Sequence, residues 1–189
     1  MKIVEKLLSE NVLIADMARA RPIHWQNPEL SDLESGLAGS GFGRSDVEAA
    51  EKLLLRFSPF IKSAFPETAP SEGIIESPVR LIPAMRSHIR NQWGVPLAGR
   101  LAIKLDSQFP VSGSVQARGG FLEILAVAER LALREGLLSR TDKYTCFASA
   151  RFREFFSGHT IAVGSTGNLG LSVVLMSADL GFNAIVHMS

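Results

Sequence analysis

The chain has 189 residues, of which 46% are apolar and 21% charged, a mixture typical of one globular domain or of one and part of a second. The formal net charge is +1 without a long basic run, which argues against an electrostatic nucleic-acid interface. Cys146 is the only cysteine, so an intrachain disulfide and a multi-cysteine metal site are excluded and a reducing compartment is expected.

The sequence pattern argues against both a secretory signal and a membrane-spanning segment. Charges interrupt the apolar residues at the N-terminus, which argues against a secretory signal. The most apolar stretch, 161–180, is broken by glycines and polar residues, so it is not expected to span a membrane. The predicted location is the cytoplasm.

The first part of the chain predicts helices and loops. Apolar residues at helical spacing begin at Ile3, and segment 22–43 is rich in Gly, Ser, Pro and Asn, which favours a loop. Residues 45–48 match a capping box, so a helix should follow and stop near Pro59, with a short helix over 60–65. The face expected to pack inward consists of Val47, Ala50, Leu54 and Phe57.

Prolines interrupt the predicted elements in the middle of the chain. Residues 66–76 favour a loop, and 78–90 favours a helix that Pro83 should kink or delay. Gly94-Val95-Pro96 marks a break, and a strand is predicted over 97–104.

The second half predicts alternating strands and helices. A helix over 116–133 should end at a cap formed by Gly136, and a shorter helix is expected over 149–156. The inward residues expected for these two helices are Phe121, Ile124, Leu125, Ala128, Leu131, Phe152, Phe155 and Phe156.

A strand, helix and strand follow, at 160–163, 168–180 and 183–187, which predicts parallel strands joined by a right-handed crossover. The chain stops directly after the last strand, a position that favours an interrupted fold over a complete one.

The loop 164–170 joins a predicted strand to a predicted helix. Its amides and the helix N-terminus would carry partial positive charge, and Ser165 and Thr166 add hydroxyls, so a carboxylate or phosphate could bind there. The alternative is a simple capped turn. The glycine spacing matches neither a dinucleotide fingerprint nor a Walker A loop, so a nucleotide site is disfavoured.

A second polar run extends from Ser112 to Gly120 around Gln116. By itself it indicates little: Ser112 and Ser114 would be helix caps, and Arg118 would be a solvated or paired charge.

Taken together, the Ser-x-Gln-x-Arg-Gly run at 114–119 and the Ser-Thr-Gly-Asn run at 165–168 resemble the pyridoxal-phosphate enzymes of the β-family, fold type II. The remaining segments resemble the D-serine dehydratase family within it. The resemblance covers essentially the whole chain and about the first two-fifths of that family's usual length. The segments that carry it are 65–69, 73–77, 82–85 and 161–168.

This resemblance implies a role for each site residue. Gln116 stands where the family has the lysine that binds pyridoxal phosphate covalently. Asn168 would donate to the hydroxyl of the cofactor's pyridine ring, and Ser165, Thr166 and Gly167 would hold the substrate carboxylate. The implied reaction converts D-serine into pyruvate and ammonia by elimination, with the cofactor as electron sink.

Two departures from the family pattern predict that this chain is catalytically impaired. The amide of Gln116 can neither bind the cofactor covalently nor act as a base at pH 7. The family's glycine-rich phosphate cradle would lie beyond residue 189. Three hypotheses stay open: a lyase acting on D-serine, a non-catalytic relative that at most binds a small anion, and an interaction fragment that self-associates or binds a complementing C-terminal fragment.

The implied architecture is α/β, a partial, truncated fold of type II (tryptophan synthase β-like), with N-terminal helices followed by a three-layer βαβ small domain. Residues 1–95 are expected to contribute to the larger domain and 96–189 to form an incomplete cofactor and substrate domain. The four histidines are scattered, so no metal site is predicted.

Overall fold

The structure is a computed structural model that describes residues 2–188, with the side chain of residue 2 left undescribed. The chain divides into two compact units, Met1–Gly43 and Arg44–Ser189.

The N-terminal unit contains helices α1 (Lys2–Glu10), α2 (Val12–Ala18) and α3 (Leu33–Gly39). The first was predicted, whereas the loop expected over 22–43 is wrong for α3. Side-chain caps explain both unpredicted helices: Asn11 accepts hydrogen bonds from the N–H groups of the first turn of α2, and Asp32 accepts from Ser35 N–H at 2.9 Å.

The second unit begins with α4 (Arg44–Ala64), a helix that continues through Pro59. The predicted stop near Pro59 and the separate helix over 60–65 are therefore wrong. Proline cannot donate to the carbonyl four residues earlier, that of Leu55, but Ser58 Oγ donates to this oxygen at 3.0 Å. The side chain thus replaces the backbone hydrogen bond that the proline removes.

The start and the buried face of α4 also differ from the prediction. The helix begins at Arg44, so Ser45 lies inside its first turn, and Glu48 accepts from Arg44 Nε at 2.9 Å. Val47 is exposed, and the buried face is shifted toward the C-terminal half of the helix. Its members are Leu53, Phe57, Phe60 and Ile61.

Residues 66–104 fold differently from the predicted loop, helix and long strand. A 3-10 helix covers Pro66–Ser71, and β1 (Val79–Leu81) pairs antiparallel with β2 (Ala102–Lys104). Between the strands lies α5 (Pro83–Trp93). Pro83 occupies its first turn, so the helix starts later than predicted, because the missing N–H of proline costs no intrahelical hydrogen bond in a first turn.

The next helices agree with the sequence pattern. Helix α6 (Val115–Arg134) is followed by Gly136 at φ 65°, the left-handed conformation expected of a glycine after a helix. A 3-10 helix (Tyr144–Ala148) and α7 (Ala150–Ser157) come next. Of the predicted inward residues, Leu131 and Phe155 are half-buried and the others are buried.

The final elements are β3 (Thr160–Gly164), α8 (Asn168–Leu180) and β4 (Asn183–His187). The strands are parallel, with Thr160 opposite Asn183 and Gly164 opposite His187. The predicted strand–helix–strand unit and the α/β class are confirmed. Each strand alternates exposed and half-buried residues, since α8 packs against it.

The core of the second unit is rich in phenylalanine. Phe147 lies 4.7 Å from Phe57 and 4.8 Å from Phe152, measured between ring centroids, so α4, α7 and the 3-10 helix before α7 meet at one aromatic cluster. None of the helices within residues 2–188 has the length and apolarity to cross a membrane. The predicted division at 95/96 concerns the domains of a complete enzyme and stays a prediction.

Candidate functional site

Gln116 lies in the first turn of α6. Ser114 is the N-cap of this helix, and its hydroxyl oxygen accepts a hydrogen bond from Gln116 N–H at 3.3 Å. The Gln116 side chain is exposed. The predicted cap at Ser114 is confirmed, and the amide at position 116 is accessible to a ligand in solution.

The loop that leads into α6 is held in an unusual conformation. Val111 has φ 74°, which is rare for a β-branched residue, and the N–H of Gly113 donates to Phe109 O at 2.9 Å. Phe109 is buried. The buried phenylalanine and this hydrogen bond fix the approach of the chain to the first turn of α6.

Arg118 is paired, as one of the two interpretations of the sequence expected. Its Nη2 lies 2.5 Å from Glu76 Oε1, and the other oxygen of Glu76 lies 3.5 Å from Lys104 Nζ. Lys104 Nζ also donates to Ser77 O at 3.3 Å. Glu76 therefore joins β2 to the start of α6, a link that the sequence did not reveal because 42 residues separate Glu76 from Arg118.

The loop between β3 and α8 is organised by Ser165. Its hydroxyl oxygen accepts from Gly170 N–H at 2.9 Å and from Gly167 N–H at 3.3 Å. These bonds cap the first turn of α8, so Ser165 has a structural role in this loop. Thr166, Gly167 and Asn168 are exposed.

Helices α6 and α8 approach closely at Gly120. A Cβ atom at this position would lie 2.3 Å from Ser172 Oγ and 3.3 Å from Leu169 Cδ1. A larger residue here would require the side chain of Ser172 to move. Gln116 precedes Gly120 by four residues and Asn168 precedes Ser172 by four, so each lies about one turn before the crossing, on the same side of its helix.

Of the predicted site residues, Gln116 and Asn168 thus lie on two helices that pack together, and Ser165, Thr166 and Gly167 lie in the loop that leads into the second of them. Among the described residues no hydrogen bond joins Gln116 to the loop 165–168. The two segments are connected through the packing of α6 against α8. The sequence placed both segments at helix starts but gave no indication that the helices cross.

A surface cavity of about 460 Å³ lies at the ends of β3 and β4, lined by Gly164, Ser165, Thr166, His187 and Met188. The carboxyl ends of parallel strands meet at one edge of a sheet, where ligands bind in open α/β folds. His187, which is exposed, was not among the site residues predicted from the sequence. Its position at the end of a strand parallel to β3 was the signal that could have placed it beside this loop.

No cluster of three or more metal-ligating side chains occurs in the described part of the chain. The groups offered by the loop 165–168 are hydroxyls, backbone amides and one side-chain amide. They suit a carboxylate or phosphate better than a metal ion.

Comparison with known proteins finds similarity to D-serine dehydratases of several bacteria. The D-serine dehydratase of Serratia proteamaculans is 48% identical over 186 residues, which cover 98% of this chain and 42% of that protein. The D-serine dehydratase of Yersinia enterocolitica and a probable D-serine dehydratase of Vibrio parahaemolyticus are each 47% identical over the same shares.

The chain is a homologue of the D-serine dehydratases. It corresponds to their N-terminal part and spans about two-fifths of their length, 42% in each of these three relatives. A scan of protein-family models gave no match. The D-serine dehydratase resemblance seen in the sequence is confirmed, whereas the roles of individual residues remain predictions.

Proposed function

We propose that this chain is the N-terminal part of a pyridoxal-phosphate enzyme of fold type II that acts on D-serine, and that Gln116 leaves it without elimination activity of its own. The supporting observation is the exposed amide of Gln116 in the first turn of α6, at the family's lysine position. The cytoplasmic location stays a prediction.

The chemical reason is the difference between an amide and an amine. A neutral amide has no nucleophilic lone pair on nitrogen for covalent attachment of the cofactor, and it does not take up a proton near pH 7. The loss of a positioned base alone lowers a rate by about 10²–10⁴-fold. The two losses would act on different steps: the first on covalent attachment of the cofactor, and the second on removal of the α-proton.

Lys104 does not offer a substitute amine. Its Nζ lies 3.5 Å from Glu76 Oε2 and donates to Ser77 O at 3.3 Å, so its polar contacts are with residues 76 and 77.

The residues present fit pyridoxal phosphate only in part. The first turn of α8, with Thr166 and Asn168 exposed beside it, offers donors for an anionic or hydroxyl group. Position 116 does not fit covalent attachment. We place the phosphate cradle in the part of the relatives that this chain does not span.

The test is to restore the amine. Gln116→Lys, incubated with pyridoxal phosphate and reduced with borohydride, is expected to carry the cofactor at residue 116 with at least about tenfold higher occupancy than the matched Gln108→Lys variant carries at residue 108, measured by peptide mass spectrometry. Gln108 is also an exposed glutamine, close to α6 in sequence.

The unmodified chain is expected to produce no pyruvate from D-serine in the presence of pyridoxal phosphate. Pyruvate formation by this chain would contradict the proposal. Equal labelling of the two lysine variants would show that position 116 has no special access to the cofactor.

A second candidate function is the binding of a small anion at the cavity beside Ser165, without catalysis. It is supported by the cavity at the ends of β3 and β4 and by the N-terminus of α8. Titration with inorganic phosphate, followed by amide NMR, should shift the signals of residues 165–168, and Thr166→Val should weaken the shift. Absence of shifts in this loop would exclude the second candidate.

A further inference from the structure

Residues 105–114 connect β2 to α6 and lead directly to position 116; we call them the approach loop. The loop contains a short 3-10 helix, Asp106–Gln108, and ends at Ser114, the N-cap of α6. Val111 has φ 74°, a conformation that strains a β-branched residue. Such a conformation persists only where the surrounding structure holds the backbone in place. The contacts that hold this loop therefore determine where residue 116 lies.

The approach loop also contains a buried polar atom that no other group satisfies. Within the described residues, Ser112 Oγ is buried and has no hydrogen-bond partner. An unsatisfied buried hydroxyl raises the free energy of the folded loop, as the strain at Val111 does. Contacts elsewhere must offset both costs, and the buried side chain of Phe109 provides one of them.

The start of the approach loop is held by residues 76–78, which we call the clamp segment. Ser77 is buried, and its hydroxyl donates to Asp106 Oδ1 at 2.6 Å. Leu105 N–H donates to Pro78 O at 2.8 Å. A hydrogen bond to a carboxylate is about twice as strong as one between neutral groups. The first two residues of the loop are thus joined to the clamp segment.

The clamp segment also holds the chain beyond the end of the approach loop. Glu76 Oε1 lies 2.5 Å from Nη2 of Arg118, the fourth residue of α6. Glu76 Oε2 lies 3.5 Å from Nζ of Lys104, the residue before the loop, and this Nζ donates to Ser77 O at 3.3 Å. Residue 116 therefore lies between two points of the chain that are bound by the same short segment.

The clamp segment is itself fixed to α4. Ile75, directly before it, is buried in the core. Gly73 has φ 79°, and a Cβ atom at this position would lie 1.9 Å from Ser58 O, so the backbone packs directly against α4. A support of this kind keeps the groups that it binds in place, because packed interiors deform little.

We infer that Glu76 and Ser77 are positioning residues for the side chain at position 116, and that they act through Arg118 and Asp106. Reactive side chains depend on supporting contacts of this kind for their orientation. The inference deepens the proposed function and rests on it for the ligand: these contacts would direct a lysine at position 116 toward pyridoxal phosphate. The placement of residue 116 itself can be measured without the cofactor.

The first experiment measures hydrogen exchange of the unmodified chain, residue by residue, by NMR. The amides that report on the loop are those of Gly113, Gln116 and Ala117, each of which donates a hydrogen bond to residue 109 or 114. Glu76→Gln and, separately, Ser77→Ala are each expected to raise their exchange rates by at least about threefold, because loss of a clamp contact lets the loop open more often. The amides of β3 serve as an internal reference and should keep their rates.

The matched control is Glu48→Gln. The Glu48 side chain is 46% exposed, close to the 43% of Glu76, and its carboxylate pairs with Arg44 at 2.9 Å, as that of Glu76 pairs with Arg118. This variant removes the same charge from α4, outside the clamp segment. It should leave the exchange rates of the three reporting amides unchanged.

A double-mutant cycle tests whether Glu76 acts through Arg118. Arg118→Gln removes the same ion pair from the other side and should raise the exchange rates by a similar factor. In Glu76→Gln/Arg118→Gln the factor should equal that of either single variant to within about twofold, because one contact is removed in all three. A factor equal to the product of the two single factors would overturn this route.

The second experiment uses Gln116→Lys, treated with pyridoxal phosphate and borohydride. The readout is the occupancy of residue 116 divided by that of Lys52, an exposed lysine of α4, measured by peptide mass spectrometry in the same sample. Adding Glu76→Gln or Ser77→Ala should lower this ratio by at least about threefold, whereas adding Glu48→Gln should not change it. A general loss of stability exposes lysines throughout the chain and does not lower labelling at one position selectively.

Three results would overturn the inference. Unchanged exchange rates in Glu76→Gln and Ser77→Ala would show that the clamp segment does not hold residue 116, and equal increases in Glu48→Gln would show a general effect of the lost charge. Faster exchange with an unchanged labelling ratio would overturn the role in cofactor attachment. If Gln116→Lys is not labelled at all, the proposed function fails, and the exchange rates still decide the placement of residue 116.

Discussion

At the scale of single residues, the best-defined polar contact in the core is centred on Glu129 of α6. Its side chain is almost fully buried, and Oε1 accepts from Arg56 Nε at 2.8 Å and from Tyr144 O–H at 2.5 Å. The contact joins α4, α6 and the 3-10 helix at 144–148. Burial of the phenol, reinforced by the hydrogen bond to Glu129, raises the pKa of Tyr144 to about 12.

This raised pKa predicts a loss of stability in strong base. The neutral phenol is favoured in the folded state, so its contribution is complete below the ordinary pKa of about 10 and is lost as the pH rises through about 12. The free energy of unfolding should fall by on the order of 2 kcal/mol over this interval. Urea denaturation at pH 9 to 12 should show a smaller fall for Tyr144→Phe than for wild type.

A second measurement isolates the role of Glu129. Tyr144 is the only tyrosine in the chain, so the absorbance change of phenolate formation reports on this residue alone. Glu129→Gln removes the carboxylate and should lower the pKa of Tyr144 by part of the shift, because burial of the phenol remains, whereas Glu123→Gln, on the exposed side of α6, should leave it unchanged. An equal pKa in both variants would contradict the contribution assigned to Glu129.

At the scale of elements, the crossing of α6 and α8 connects the two predicted site segments. Gly120 is buried at the crossing, while its neighbour Gly119 is exposed, and a Cβ atom added at Gly119 would meet no atom within 4 Å. The packing of the two helices therefore leaves no room for a side chain at position 120 but leaves room for one at position 119.

Alanine substitutions should separate these two glycines. Gly120→Ala would place Cβ 2.3 Å from Ser172 Oγ and should lower the free energy of unfolding by about 1–3 kcal/mol. Gly119→Ala meets no obstacle and should raise it by up to about 1 kcal/mol, because alanine favours a helix. Thermal denaturation of both variants tests this, and a stabilised Gly120→Ala would show that the two helices can separate at the crossing without cost.

The elements also show which parts of the fold could be predicted. The strand–helix–strand unit at 160–187 was predicted from two local signals in the sequence. The spacing of apolar residues changes between strand and helix, and glycines mark the turns. The stop at Pro59 was wrong because the Ser58 hydroxyl supplies the hydrogen bond that the helix would otherwise lose. The short strands β1 and β2 escaped prediction since three exposed residues carry no alternating pattern.

At the scale of the whole molecule, the second unit leaves a good deal of apolar surface uncovered. The described sheets have two strands each, and parallel strands are normally buried on both faces. Here β4 exposes Ile185 on the face opposite to its half-buried residues, and both strands of the pair β3–β4 have an open edge.

This exposed surface predicts self-association of the isolated chain through β3 and β4. Sedimentation velocity should detect oligomers whose fraction rises with protein concentration. Ile185→Lys should reduce that fraction, because a charge on an exposed strand opposes edge pairing, while Leu55→Lys, a substitution at a comparably exposed residue of α4, should not. A monomer at all concentrations with a sharp, cooperative thermal transition would contradict this prediction.

The amino-acid sequence by itself determined the α/β class, the helix starts that carry Gln116 and Asn168, and the correspondence to the D-serine dehydratases, because motifs, caps and periodicity are properties of neighbouring residues. Only the tertiary structure decided that α6 and α8 cross at Gly120 and that Glu76 joins Lys104 to Arg118. These contacts link residues far apart in the chain, and they depend on how the elements pack and not on any local pattern.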